Sequence, residues 1–162
     1  VFGDERGFFL ETFQAERYSA KARISLPFVQ DNHSRSGHGV LRGLHFQRNR
    51  PQGKLVRVVK GEVYDVVVDI RRGSQTFGQW EGIVLSEENK RQLWVPPGFA
   101  HGFVVLSEIA DFEYKCTDYY DPSDEGCIHW GDPDLDIKWP IMDPIVSEKD
   151  SNGSSLFDFT SC

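Results

Sequence analysis

The chain has 162 residues, of which 39% are hydrophobic and 27% charged, a composition that fits one folded domain and excludes global disorder. Its 18 basic and 25 acidic residues give a formal net charge of −7, which argues against nucleic acid or an anionic membrane as a general partner. No uncharged apolar run approaches the roughly 18 residues that cross a bilayer, so we predict no membrane-spanning segment.

The predicted elements are mostly strands. A weakly periodic stretch at residues 11–22 predicts one short helix near the start. Segments rich in β-branched and aromatic residues, bounded by turn-forming residues, then predict strands at 28–33, 40–47, 55–60, 62–70, 80–85, 92–95, 102–106 and 112–119. Residues 63–70 are almost continuously apolar, whereas residues 111–115 alternate like a half-exposed strand. Both kinds together predict an all-β sandwich or barrel.

The chain after Cys116 is acidic and rich in turn-forming residues, which predicts loops and short elements around the β core. No linker appears, so we predict that residues 1–162 form a single domain, with a loosely held, serine-rich tail at 151–162. The three cysteines, Cys116, Cys127 and Cys162, are odd in number and lack C-x-x-C spacing. This usage fits a reducing compartment and predicts a cytoplasmic protein.

The basic residues are unevenly distributed. Residues 32–61 contain seven of them and no acidic residue, which leaves 11 basic and 25 acidic residues elsewhere. The seven are Arg35, Arg42, Arg48, Arg50, Lys54, Arg57 and Lys60. Any one of them is most simply explained as solvent-facing. The block as a whole favours a local anion-binding site within an acidic protein.

Two histidines have distinctive surroundings. His45 lies in a predicted strand, and His101 follows a rigid Pro-Pro-Gly turn. The spacing from Pro97 to His101 resembles the second signature of the cupin jelly rolls, a double-sheet architecture that also matches the strand count. Metal-binding cupins need further histidine and glutamate ligands, and no acid occurs between Asp31 and Glu62. At most two imidazoles remain, so we predict no metal.

General acid–base chemistry is the nearest alternative use of His45. A base of this kind needs an orienting acid, which the C-terminal part can supply, for example as Asp150, although spacing alone does not select it. Tyr114 and Tyr120 are candidate acids, against the simpler explanation that they pack in the core.

Six long stretches are more specific than any of these patterns. They are FGDERGFF from Phe2, FVQDNH from Phe28, VLRGLHFQ from Val40, QGKLVR from Gln52, GEVYDVVVDIR from Gly61 and WVPPGFAHGF from Trp94. In order and spacing they resemble the dTDP-4-dehydrorhamnose 3,5-epimerase family, over residues 1 to about 150. The resemblance implies a cupin-type jelly roll with a few short helices, neither metal nor cofactor, and a homodimer.

The resemblance also implies a reaction and its catalytic residues. The implied activity inverts C3 and C5 of dTDP-4-dehydro-6-deoxy-D-glucose through an enolate, in dTDP-L-rhamnose or related deoxysugar biosynthesis. His45 resembles the family's base, and Asp150 the carboxylate that orients it. Tyr114 resembles the acid on the opposite ring face, and Lys54 the charge beside the enolate oxygen.

Further residues resemble the family's substrate contacts. They are Arg6, Glu11, Gln30, Asp31, Asn32, Arg42, Lys54, His101, Glu125 and Lys149, with Tyr120 as a stacking residue. Arg6 and Arg42 are suited to clamp a diphosphate. In the implied homodimer, Arg6 and Glu11 would act in the other subunit's site.

Three alternatives stay open at this point. A relative that inverts only C5 or only C3 would keep the same base and acid. A non-catalytic jelly roll that binds nucleotide sugars would keep the arginines and could dispense with His45, Asp150 and Tyr114. A metal-dependent cupin oxygenase or isomerase would require a metal for activity.

Overall fold

This computed structural model describes residues 1–160, with side chains up to residue 158. This part of the chain contains eleven strands and three short helices. In chain order they are β1 (Phe2–Asp4), β2 (Gly7–Phe9), α1 (Ala15–Ala22), β3 (Gln30–Gly37), β4 (Leu41–Gln47), β5 (Lys54–Lys60), β6 (Glu62–Asp69), β7 (Trp80–Ser86), β8 (Gln92–Val95), β9 (Phe99–Val105), β10 (Ile109–Cys116), β11 (Glu125–Cys127), α2 (Glu148–Ser151) and α3 (Leu156–Thr160). Within this range no helix has the length and apolar character needed to cross a membrane.

Two antiparallel sheets face each other. One has the strand order β3-β10-β5-β8 and the other β11-β4-β9-β6-β7, while β1 and β2 form a separate hairpin. This arrangement confirms the predicted jelly roll, and β3 to β10 correspond to the eight predicted strands. The predicted helix begins later than expected, at Ala15, because the side chain of Gln14 caps it by accepting from the backbone amide of Arg17.

Side chains that alternate along the strands fill the space between the sheets at one end. They come from both sheets: Val56, Val58, Ala110 and Phe112 from one, and Val63, Leu85, Phe103 and Val105 from the other. The rings of Phe103 and Phe112 stack with their centroids 4.2 Å apart. The other end of the same space is lined by polar side chains and stays open.

The C-terminal segment covers the outer face of the five-stranded sheet. Leu156 is 3% exposed and packs in a cluster with Leu44, Val66 and Ile128. Its backbone amide also donates to the carboxylate of Asp132 at 2.6 Å. Leu156 belongs to the predicted tail, residues 151–162, of which residues 161 and 162 lie outside the described residues.

The hydrogen-bond register of β4 against β9 shifts between Arg42 and His45. Two glycines allow the strands to approach closely there, since a Cβ on Gly43 would lie 2.6 Å from the Cα of Gly102. Residues three apart on a regular strand point to opposite faces. The irregularity instead lets Arg42 and His45 face the same side.

Gly61, in the turn between β5 and β6, is closely packed against the backbone of Ile109. Gly61 has φ +75°, and a Cβ there would lie 2.1 Å from the carbonyl oxygen of Ile109. Gly39 has nearly the same φ, +76°, with no atom within 4 Å of the added Cβ. We expect Gly39→Ala to lose about 1–2 kcal/mol of unfolding free energy from backbone strain, and Gly61→Ala to lose about 1–3 kcal/mol more from overpacking.

Urea unfolding of the two variants and the unsubstituted protein measures both losses. Because the φ values match, the difference between the variants isolates the steric contact. Equal losses would contradict the close approach at Gly61.

Candidate active site

A cavity of about 330 Å³ occupies the open end of the space between the sheets. Nine residues singled out in the sequence line it: Gln30, Asn32, Arg42, His45, Lys54, His101, Tyr114, Tyr120 and Glu125. They come from both sheets and from the loop after β10. Residues far apart in the chain therefore converge because alternate positions of facing strands point inward.

Asp31 lies outside the cavity that other residues of β3 line. It lies between Gln30 and Asn32 on β3, and both of these neighbours face the cavity. Strand alternation therefore turns Asp31 to the outer face, where its carboxylate accepts from Lys115 at 3.0 Å. Asp31 belongs to an ion pair on the outside of the sheet.

His45 and Asp150 form the central pair of the site. His45 Nε2 donates to Asp150 Oδ1 at 2.6 Å, and the amide of Gly43 donates to the other carboxylate oxygen at 3.3 Å. Burial alone would raise the pKa of Asp150, but its hydrogen bond and charge interaction with His45 outweigh burial and lower this pKa. An ionised, buried carboxylate thus fixes the imidazole with Nδ1 left for the cavity.

Local sequence explains how Asp150 reaches His45. Ser147 caps α2, and its hydroxyl accepts from the backbone amide of Asp150 at 3.1 Å. This short helix lies against β4, so Asp150, which is 2% exposed, points inward while Glu148 stays in solvent. The carboxylate partner of His45 is therefore supplied by a helix and not by a strand of either sheet.

Lys54 and Tyr114 lie on neighbouring strands, β5 and β10, of the opposite sheet. The ammonium nitrogen of Lys54 is 6.0 Å from the centroid of the Tyr114 ring. Burial lowers the pKa of Lys54, and burial also raises the pKa of Tyr114, with a smaller contribution from Cys116. The phenol is therefore held in its protonated form, which is the form that can donate a proton.

Glu125 connects several groups at the cavity mouth. Its Oε2 accepts from Lys149 at 2.8 Å and from the Tyr120 hydroxyl at 2.9 Å, and its Oε1 lies 4.0 Å from His45 Nδ1. Burial would raise the pKa of Glu125, but these donors lower it. Lys149 is thus linked to the cavity-lining Glu125, and its contact with a substrate stays a prediction.

His101 has a partner that the sequence analysis missed. His101 Nε2 donates to both carboxylate oxygens of Asp65 at 3.0 Å. Asp65 is fully buried, and burial raises its pKa, although the charge of His101 opposes this shift. A single carboxylate within the otherwise uncharged residues 63–68 of β6 was the available signal, because buried acids need a partner.

One group of side chains offers metal-type ligand atoms. The donor atoms of His45, Cys127 and Asp150 lie within 4.8 Å of one another. However, His45 Nε2 and Asp150 are already bonded to each other, and burial followed by the charge of Asp150 raises the pKa of Cys127 to about 12. A neutral thiol is a poor metal ligand. The chemistry of this set therefore favours a hydrogen-bonded pair rather than a metal centre.

Arg6 and Glu11 lie outside the cavity of their own chain. Arg6 pairs with Asp4 in the β1–β2 hairpin, and Glu11 pairs with Arg17 at 2.7 Å. Glu11 lines a groove on the outer side of the four-stranded sheet. Within the described chain, neither residue contributes to the site around His45.

The assembled groups suit proton transfer beside a carbonyl. A carboxylate-supported imidazole, the buried amino group of Lys54 and a protonated phenol all line one cavity. A base, a cation for a developing oxyanion and an acid are the minimal set for moving a proton at carbon.

Known proteins resemble this chain closely. Residues 1–158 match the protein family described as dTDP-4-dehydrorhamnose 3,5-epimerase. A dTDP-4-dehydrorhamnose 3,5-epimerase of Pseudomonas aeruginosa is 59% identical over 159 residues, which cover 98% of this chain and 88% of that protein. A dTDP-6-deoxy-D-glucose-3,5-epimerase from Legionella pneumophila, solved in complex with dTDP-4-keto-L-rhamnose, is 60% identical, with a TM-score of 0.94, and the match covers 96% of this chain and 84% of that one.

The lowered pKa of Asp150 predicts a pH-dependent stability contribution. Its native carboxylate stabilises the fold at neutral pH, and this contribution fades as the pH falls below about 4 toward the native pKa. We expect Asp150→Asn to lose about 1–3 kcal/mol of unfolding free energy at pH 7, and a smaller amount in acid. Urea unfolding over a pH series measures both.

Glu148→Gln is the matched control, because Glu148 lies exposed in the same short helix. It should unfold like the unsubstituted protein at every pH. An Asp150→Asn loss that did not change with pH would contradict the proposed charge pairing.

Proposed function

Since the chain belongs to the dTDP-4-dehydrorhamnose 3,5-epimerase family, we propose that its cavity binds dTDP-4-dehydro-6-deoxy-D-glucose and inverts C3 and C5. The chain is thus an isomerase that acts on a carbohydrate. The observation that carries the residue assignment is the His45–Asp150 pair, which meets Lys54 and Tyr114 at one cavity. The single-centre alternative has no comparable support from the relatives reported above.

The substrate's own ketone makes the reaction possible. The carbonyl at C4 acidifies the hydrogens on C3 and C5, so a base can remove either one and leave an enolate. We assign the base to Nδ1 of His45, because Nε2 is held by Asp150. Ionised Asp150 stabilises the imidazolium that forms, as a carboxylate does for any histidine base.

Lys54 and Tyr114 complete the inversion. The ammonium group of Lys54 stabilises the enolate oxygen, and the Tyr114 hydroxyl delivers a proton to the opposite face of the same carbon. Each inversion leaves His45 with one additional proton and Tyr114 with one fewer. Exchange with solvent restores both groups before the second centre reacts.

The remaining polar residues are assigned to binding. Arg42 supplies a guanidinium for the diphosphate, and the exposed ring of Tyr120 at the cavity mouth provides a stacking surface for the base. Gln30 and Asn32 provide amide groups on the neighbouring strand β3. His101, fixed by Asp65, offers its other ring nitrogen to the sugar.

We propose that neither a metal nor an organic cofactor takes part. The ketone of the substrate already provides the acidity that a Lewis acid would otherwise supply, and Lys54 provides the positive charge. Activity should therefore survive exhaustive chelation.

A homodimer would complete the site. The hairpin β1–β2 exposes three aromatic side chains, Phe2, Phe8 and Phe9, by 65–75% of their surface. Exposed apolar clusters of this kind mark interaction surfaces. We therefore propose that the hairpin packs on a second copy and that Arg6 and Glu11 contribute to that copy's cavity.

Location and partners stay predictions. Cys116 and Cys127 are free thiols, which supports the predicted cytoplasmic location, and Cys162 lies outside the described residues. The net charge of −7 supports the prediction that nucleic acid is not a partner.

Isotope exchange tests the reaction and the role of Tyr114 together. With dTDP-4-dehydro-6-deoxy-D-glucose in deuterated water, the unsubstituted protein should introduce deuterium at C3 and C5 with inversion. Tyr114→Phe should still exchange protons through His45, but inversion should fall by about 10²–10⁴ because the opposite-face acid is missing. Nuclear magnetic resonance of the recovered sugar distinguishes these outcomes.

Tyr119→Phe is the control, because Tyr119 is exposed and its ring lies outside the cavity lining. It should behave like the unsubstituted protein. Deuterium at only one carbon would indicate a single-centre epimerase, and full inversion by Tyr114→Phe would remove Tyr114 from the mechanism.

Subunit mixing tests the shared site. Arg6→Ala and His45→Gln should each be nearly inactive as homodimers. A mixed dimer would contain one cavity with both native residues, so refolding the two variants together should restore about a quarter of the native activity. Steady-state assays before and after mixing measure this recovery, and absence of recovery in a verified mixed dimer would contradict the exchange of Arg6.

A further inference from the structure

The segment that carries Tyr120 is held by glutamine side chains. Residues 117–124 connect β10 to β11 without being part of either sheet. Within this segment, four backbone groups at residues 118–121 are hydrogen-bonded to the side chains of Gln30, Gln47 and Gln52. These three residues come from β3, from the end of β4 and from the loop after β4.

Gln47 contacts the backbone on both sides of Tyr120. Its Oε1 accepts from the amide of Asp121 at 2.7 Å, and its Nε2 donates to the carbonyl of Tyr119 at 3.3 Å. The same Nε2 donates to the carbonyl of Arg50 at 2.8 Å. Gln47 is only 6% exposed, so these hydrogen bonds are shielded from water.

Gln52 and Gln30 form further hydrogen bonds with the backbone of the same segment. Gln52 Nε2 donates to the carbonyl of Asp118 at 2.8 Å, and Gln30 Oε1 accepts from the amide of Tyr120 at 2.9 Å. An ion pair between Arg50 and Asp118 closes the outer side. The glutamine side chains thereby supply residues 118–121 with the hydrogen-bond partners that a neighbouring strand supplies to a strand in a sheet.

We propose that Gln47 and Gln52 are positioning residues that hold the Tyr120 ring where the base of the nucleotide stacks. The inference rests on the proposed function, in which Tyr120 provides that stacking surface. A mobile segment would have to be ordered at each binding event, and a segment already fixed avoids this entropic cost. Gln47 requires an amide for this task, because it both donates and accepts.

The effect should appear in binding rather than in proton transfer. Gln47→Met and Gln52→Met keep the side-chain length and remove the hydrogen bonds. We expect each to raise KM for the sugar nucleotide and Kd for dTDP by about fivefold to tenfold, with kcat within about threefold of the native value. Steady-state kinetics and calorimetric titration with dTDP measure the two effects separately.

Asn89→Ala is the control. Asn89 holds the turn between β7 and β8 in a similar way, accepting from the amides of Ser86 and Arg91 and donating to the carbonyl of Val84. This turn does not line the cavity. Its loss should leave KM, Kd and kcat unchanged, which shows that removing an amide clamp elsewhere does not weaken binding.

A double-mutant cycle with Tyr120→Ala distinguishes positioning from direct contact. If Gln47 acts through the Tyr120 ring, Gln47→Met should add little to KM or Kd once that ring is absent. Equal effects with and without the ring would overturn the proposal, as would unchanged dTDP binding in Gln47→Met. Gln52→Met, which removes a single hydrogen bond, provides the same test if Gln47→Met does not fold.

These outcomes are separable from failure of the proposed function. A native protein that binds dTDP but exchanges no proton at C3 or C5 would contradict the epimerase assignment. A native protein that epimerises, accompanied by Gln47→Met and Gln52→Met variants with native KM and Kd, would contradict only the positioning role.

Discussion

The two-residue alternation of the strands is the constraint on which the site depends. Each facing strand sends one row of side chains into the space between the sheets, where the row is apolar at one end and polar at the other. The same rule that brings Gln30 and Asn32 into the cavity excludes Asp31 between them. At the irregular register of β4 this alternation is interrupted, and there Arg42 and His45 share a face.

Buried carboxyl groups set the second requirement, because a polar group away from water needs a hydrogen-bond partner. Asp150 and Asp65 each meet this need with a histidine that lines the cavity. The basic residues of 32–61 fall into two groups, one that faces the cavity and one that forms ion pairs elsewhere. Lys54 and Arg42 face the cavity, whereas other members pair with acids of later segments: Arg35 with Asp111, Arg50 with Asp118 and Arg57 with Glu113. Only part of this charge therefore faces the cavity.

The eight strands from β3 to β10 were predictable from sequence because their β-rich segments carry a clear pattern. The three-residue strands β1, β2 and β11 were not, since so few residues establish no period. Residue roles such as that of Asp150 came only from the family resemblance. His45 and Asp150 are 105 positions apart, and no local pattern encodes a contact over that separation. The glutamine contacts to residues 118–121 were equally hidden, because they depend on where an irregular segment lies after folding.

The late position of Asp150 has a consequence for protein synthesis. The cavity-lining residues from Gln30 to Glu125 emerge from the ribosome before α2, and the nascent chain can begin to fold as it lengthens. His45 therefore exists without its carboxylate until α2 has been made and has docked against β4. A chain terminated between β11 and α2 would retain the cavity-lining residues yet lack the carboxylate that bonds to His45. Docking of α2 against β4, after the cavity-lining residues have been made, is thus the step that gives His45 its carboxylate partner.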